Sequence, residues 1–140
     1  TKTMINNYAK NHLLPAPDKK KYSKEHLLLL IYIYYYKSIL SIGDIQSLLE
    51  PLTQRYFHKD GEMNMQSIYE EVFSLEKEQV EKMKQDVTEK YETASRIFPE
   101  AEAEDQEFLR IFSFICLLSF DVYVKKQVIE KLIDELPKKS

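Results

Sequence analysis

The stretch Thr1–Leu49, TKTMINNYAKNHLLPAPDKKKYSKEHLLLLIYIYYYKSILSIGDIQSLL, decides the reading of this chain. Thr1 can cap a helix running to about Asn11, its hydroxyl accepting from the free N–H groups of the first turn. Ile5, Tyr8 and Ala9 then face inward with Met4 beside them, and Lys2, Asn6, Asn7 and Lys10 face outward. Asparagine is a poor helix former, but its amide can make a bidentate hydrogen bond to adenine in the major groove. A solvated polar face accounts for Asn6 and Asn7 equally well. Pro15 and Pro17 end the helix and stiffen the next segment. Asp18-Lys19-Lys20-Lys21 then sets three ammonium groups on one turn. Phosphate contact is the chemical use of such a cluster, and an ordinary solvated turn is the plain one. Ser23 is a good cap for a helix to about Ser38. Leu27–Tyr36 is apolar or aromatic on every side, so this helix is expected to be buried all round. The phenols of Tyr32, Tyr34, Tyr35 and Tyr36 suit core rings with hydroxyls at the rim, or a ligand pocket or interface. Ser41-Ile42-Gly43-Asp44 opens an amphipathic helix through Ile42, Ile45, Leu48 and Leu49, expected to stop near Pro51.

The order of these pieces resembles the DNA-binding half of the MerR family of transcription regulators. A helix ending in Leu13-Leu14-Pro15-Ala16-Pro17, a basic wing, Tyr22-Ser23 at the next helix start and Ser41-Ile42-x-x-Ile45 carry the likeness. The nearest pattern is an uncharacterised bacterial family with a MerR-like N-terminus and an all-helical remainder. The resemblance implies a winged helix-turn-helix head with Thr1–Asn11 as recognition helix. It implies DNA contacts from Thr1, Lys2, Asn6, Asn7, Lys10, Lys19, Lys20 and Lys21. Asn6 and Asn7 stand where the family usually has arginine and tyrosine, and His12 replaces its helix-ending glycine. The wing between Pro17 and Tyr22 is about four residues shorter than the family's and lacks its Gly-Tyr-Arg tip. The matches concern mainly scaffold, and the departures concern mainly DNA contact. The sequence begins at Thr1 without a methionine, so the head is expected to lack its first helix here.

Beyond this head, Asn64 is expected to cap one long helix reaching Phe98. Its apolar stripe thins after Leu75 among Glu, Lys and Gln. Pro99 breaks the chain, and Phe108–Val124 forms a second helix apolar on nearly all sides. Val128–Leu136 continues it after a bend. Two glycines in 140 residues and no clean alternation favour an all-α fold, with at most a small hairpin in the wing. The expected division is a head over residues 1–58 and an acidic helical region over 59–140, for dimerisation or for ligand or partner binding. Charge follows that division. Residues 1–59 carry 9 basic and 4 acidic groups, while residues 60–107 carry 5 and 15. A basic head on an acidic body is the pattern of a nucleic-acid-binding unit on solvated helices.

The chemistry is sparse. His12, His26 and His58 are scattered, no glycine-rich phosphate loop occurs, and no Cys/His zinc spacing occurs. No enzyme, cofactor or metal is therefore expected. The single cysteine, Cys116, sits in an apolar run as a buried, inert thiol, which fits a reducing cytoplasm. The apolar runs Leu27–Tyr36 and Ile111–Phe120 are shorter than the roughly 20 residues of a membrane span. The expected protein is a cytoplasmic, homodimeric regulator of transcription that binds double-stranded DNA. A helical protein-interaction module that has kept the scaffold and lost DNA binding is the alternative, as is a small-molecule-binding helical bundle.

Overall fold

The computed structural model describes residues 2–137. It contains six helices: α1 (Lys2–Lys10), α2 (Lys24–Lys37), α3 (Ile42–Tyr56), α4 (Met65–Ser74), α5 (Glu76–Arg96) and α6 (Ala103–Asp134). The fold is all-helical; among the described residues the only extended pairing is an isolated bridge between Asp18 and Lys21. None of the described helices is long and apolar enough to cross a membrane. The chain forms two compact units. One holds the residues up to Phe73 together with those from Ile129 onward, and the other is Ser74–Val128.

The first unit is built on α2. Ser23 caps it with an extended backbone, and His26 closes a capping box from the N3 position. Leu28, Leu29, Tyr32 and Ile33 of α2 meet Leu13, Leu14, Leu40, Ile45, Leu49, Met65 and Ile133 in one core. Each aliphatic side chain fully buried there contributes about 1.5–3 kcal/mol. Ile5, Tyr8 and Ala9 of α1 pack against this core as their spacing requires, while Met4 is exposed. The helix α2 is not buried all round. Its Leu27, Tyr34 and Tyr35 are exposed, because the packed neighbours gather on the opposite side. Tyr32 instead lies among the rings of Tyr36, Tyr69 and Phe73. Burial first, and then the nearby phenols of Tyr36 and Tyr69, push its hydroxyl pKa upward.

Two helix ends differ from the sequence expectation. Ser41 caps α3 as expected, accepting from Asp44 N–H at 3.1 Å, but α3 runs through Pro51 to Tyr56. Proline removes one helical hydrogen bond. The carbonyl that loses its donor belongs to exposed Ser47, where water can replace it. Continuing the helix also brings Leu52 and Tyr56 onto the core. Asn64 caps its helix through a reciprocal pair with Ser67, both bonds 2.9 Å. That helix ends at Ser74, and α5 starts anew after Leu75. The break coincides with the unit boundary.

The second unit is an antiparallel hairpin of α5 and the part of α6 before Ile129. Tyr91 meets Phe114 edge-on at 5.4 Å between ring centroids. Ala94 and Ser113 are its buried residues. Cys116 is half-buried and unpaired, not fully enclosed as expected. The helix is not interrupted before Val128: α6 continues through it as one element of 32 residues. Lys90 bridges Asp86 on its own helix and Asp121 on α6, the latter at 2.9 Å. The bond from Asp86, then that from Asp121, raises the Lys90 pKa, and the bond from Lys90 lowers that of Asp121. A depressed carboxylate stabilises the fold above its unfolded pKa, and that contribution is lost as pH falls through the folded value. Asp121→Asn should therefore lower the urea midpoint at neutral pH, and the difference from the parent should vanish below the ordinary carboxylate range. Replacing Lys90 with Met should return the Asp121 carboxyl titration, followed by NMR, toward its usual value.

Candidate nucleic-acid interface

The helix α1 ends in a turn that a glycine would make easily. His12 has φ 64°, in the left-handed region, while Leu13 N–H bonds to Tyr8 carbonyl at 2.9 Å. This closure drives Leu13 and Leu14 into the core, with 4% and 2% of their surface left exposed. A side chain in the left-handed region costs about 1–2 kcal/mol.

The following segment turns back as a two-residue hairpin. Asp18 and Lys21 exchange both backbone hydrogen bonds, at 2.9 and 2.8 Å. Lys19 and Lys20 occupy the tip with φ 48° and 68°. Two consecutive left-handed residues make a type I′ turn, whose preferred sequence is Asn-Gly. The hairpin thus holds two lysines where the backbone disfavours them. All three lysines of the turn are exposed.

Two histidines fasten this hairpin, a role that the sequence did not disclose. His26 is fully buried. Its Nδ1 accepts from Ser23 N–H at 3.0 Å, and its Nε2 lies 3.0 Å from Pro15 carbonyl and 3.2 Å from that of Ala16. Carbonyls only accept, so Nε2 carries the proton. Tyr22 and Phe57 close edge-on over the ring. His58, just past α3, donates its backbone N–H to Glu25 Oε2 at 2.9 Å. Its ring places Nδ1 2.9 Å from Glu25 Oε1 and Nε2 3.3 Å from Asp18 Oδ2. The linear sequence separates these partners by up to 40 positions, and no spacing rule joins them.

The hairpin and α1 flank an open groove of about 640 Å³ lined by Lys2, Ile5, Asn6, Pro17, Lys20 and Tyr22. Tyr22 hydroxyl donates to Asn6 Oδ1 at 2.9 Å across it. Of the residues expected to contact DNA, Lys2, Asn6 and Lys20 are brought together here. Asn7 and Lys10 are exposed on α1 outside the lining, and Lys19 and Lys21 are exposed on the turn. Thr1, expected to cap α1, lies outside the described residues. No three metal-ligating side chains gather among the described residues.

A family model described as a domain of unknown function, DUF1836, matches residues 1–72. The chain belongs to the DUF1836 family. The matched residues end beside Phe73, where the first stretch of the α2-centred unit also ends. The DUF1836 region therefore includes the groove, the hairpin and both histidine clamps. No curated protein and no solved structure matches the chain.

Two substitutions probe this framework. His12→Gly should stabilise the fold by about 1 kcal/mol, because it relieves the left-handed strain, read as a higher urea midpoint. His26→Phe keeps a ring but leaves Ser23 N–H and Pro15 carbonyl unpaired. It should cost about 2 kcal/mol, with the backbone amides of Asp18–Tyr22 exchanging faster.

Proposed function

We propose that the DUF1836 region is a MerR-like, winged helix-turn-helix head that binds duplex DNA and regulates transcription. In this reading α1 enters the major groove, and the lysine-tipped hairpin is the wing on phosphate. The observation that carries it is the strained turn. Lys19 and Lys20 sit in left-handed positions where Asn-Gly is at ease. Strain at exposed residues is the mark of a position kept for a task other than stability. Lys2 and Asn6 on α1 line the same groove as Lys20, so one groove offers an amide suited to reading a base and two ammonium groups suited to phosphate. The basic balance of residues 1–59 supplies the long-range attraction. Two copies of the chain would present two such heads to the half-sites of one operator.

One observation favours the second reading, a helical protein-interaction module that has kept the scaffold. Asn6 Oδ1 already accepts from Tyr22, so reading adenine requires that bond to be shared or broken.

The test separates strain from binding. Lys19→Asn with Lys20→Gly should stabilise the fold by about 1–2 kcal/mol. The same double variant should weaken retention of the chain on mixed duplex fragments for every sequence. It should also flatten the dependence of log affinity on log salt by about 1–2 units. Asn6→Ala should instead relax the choice among fragments. Stabilisation with unchanged retention would remove the hairpin from the interface. No retention of the parent at low salt would transfer the region to the protein-interaction reading.

A further inference from the structure

The α5–α6 hairpin leaves one long face of α6 uncovered. Phe108, Ile111, Ile115, Leu118 and Val122 recur at alternating steps of three and four residues, the seam of a coiled coil. Phe108 and Val122 each keep 65% of their surface exposed and Ile115 keeps 55%. Exposed Phe112 and Tyr123 widen the stripe. The side of α6 that meets α5 is a different one, carrying Ser113, Phe114 and Asp121. Together the exposed parts of these side chains offer roughly 600 Å² of apolar surface per chain, taking about 150–250 Å² for each whole aromatic side chain. A patch of that size is at the upper end of what a monomer exposes, and it supplies about three quarters of the roughly 800 Å² that a stable dimer takes from each partner, the charged ends of the stripe adding to it.

The ends of the stripe specify what covers it. Glu104 lies one turn before Phe108, and Lys126 lies one turn after Val122. Both are exposed, and neither has an ion-pair partner among the described residues. The stripe is thus acidic at its start, basic at its end and apolar between. Such a stripe is complementary to itself when inverted. With Ile115 on the two-fold axis, Phe108 faces Val122 of the second copy and Glu104 faces its Lys126. A parallel arrangement would set Glu104 against Glu104 and Lys126 against Lys126.

We propose that two copies of this chain pair through α6, antiparallel about Ile115, so that the two α5–α6 hairpins form a four-helix bundle. The pairing is isologous, each copy giving the same patch. It deepens the proposed function, on which its purpose but not its geometry rests, and it is tested without DNA so that the two can fail separately.

The experiment is sedimentation equilibrium of the full 140-residue chain, with helix content followed by circular dichroism. The parent should sediment as a dimer at micromolar concentration. Ile115→Glu places two carboxylates together on the axis and should yield a folded monomer. The surface position of Ile115 leaves the fold intact, and unchanged ellipticity checks this. Glu104→Lys should weaken dimerisation about tenfold, since two symmetry-related contacts become repulsive. Adding Lys126→Glu to that variant should restore the parent affinity. A monomeric parent at tens of micromolar would overturn the proposal, as would a dimer indifferent to Ile115→Glu. Failure of the charge exchange to restore affinity would overturn the antiparallel register.

Discussion

The imidazole of His26 is the one group on which the arrangement of the first unit depends. It is buried at the start of α2, and its two nitrogens hold opposite ends of the hairpin segment, Ser23 N–H and Pro15 carbonyl. A buried polar group is costly unless it is satisfied, and a satisfied one admits few alternative geometries. The ring therefore fixes where the chain leaves the core after Leu14 and where it returns at Ser23. The direction of α1 and the position of the lysine turn both follow. His58, just past α3, adds a second fastening, so the hairpin base is held from the start of α2 and from the end of α3. Five lysines expected at the interface acquire defined places this way, although none of them contributes to the core.

The two units are stabilised differently. The first has a contiguous apolar core drawn from α2, α3, α4, the Leu13–Leu14 pair and the end of α6. The second is a single layer of two helices whose buried residues are small, Ala94 and Ser113. Small residues let the helices approach but bury little surface, so the hairpin relies on the Tyr91–Phe114 contact and the Asp86–Lys90–Asp121 bridge. A two-helix layer gains little per residue compared with a core closed on both sides. A paired α6 face would supply the missing layer.

What the sequence disclosed and what it hid have distinct physical origins. Helix starts were legible because capping is local. Ser23, Ser41 and Asn64 each bond to the backbone three residues on. The inward set Ile5, Tyr8 and Ala9 was legible because 3.6-residue periodicity assigns faces without knowledge of the partner. The continuation of α3 through Pro51 was not, since propensity charges proline its full penalty and the gain came from Leu52 and Tyr56 reaching a distant core. The exposed side of α2 was hidden for the converse reason. An all-apolar helix declares that it can be buried, not how many neighbours it has. The groove residues Lys2, Asn6 and Lys20 were named individually, but Tyr22 as the bridge across them was not. The histidine clamps depend on contacts among Pro15, Asp18, Glu25 and His58 that no local rule anticipates.

The type I′ turn has a further consequence for how the chain meets proteases. Three consecutive lysines on an exposed loop ordinarily make a preferred trypsin site. A serine protease binds its substrate in an extended conformation over several residues, and Lys19 and Lys20 are instead left-handed within a closed two-residue turn. Cleavage there must await opening of the Asp18–Lys21 pair and of the His58 contact at its base. The most basic segment of the chain is thereby shielded by backbone shape, while its lysines stay exposed among the described residues.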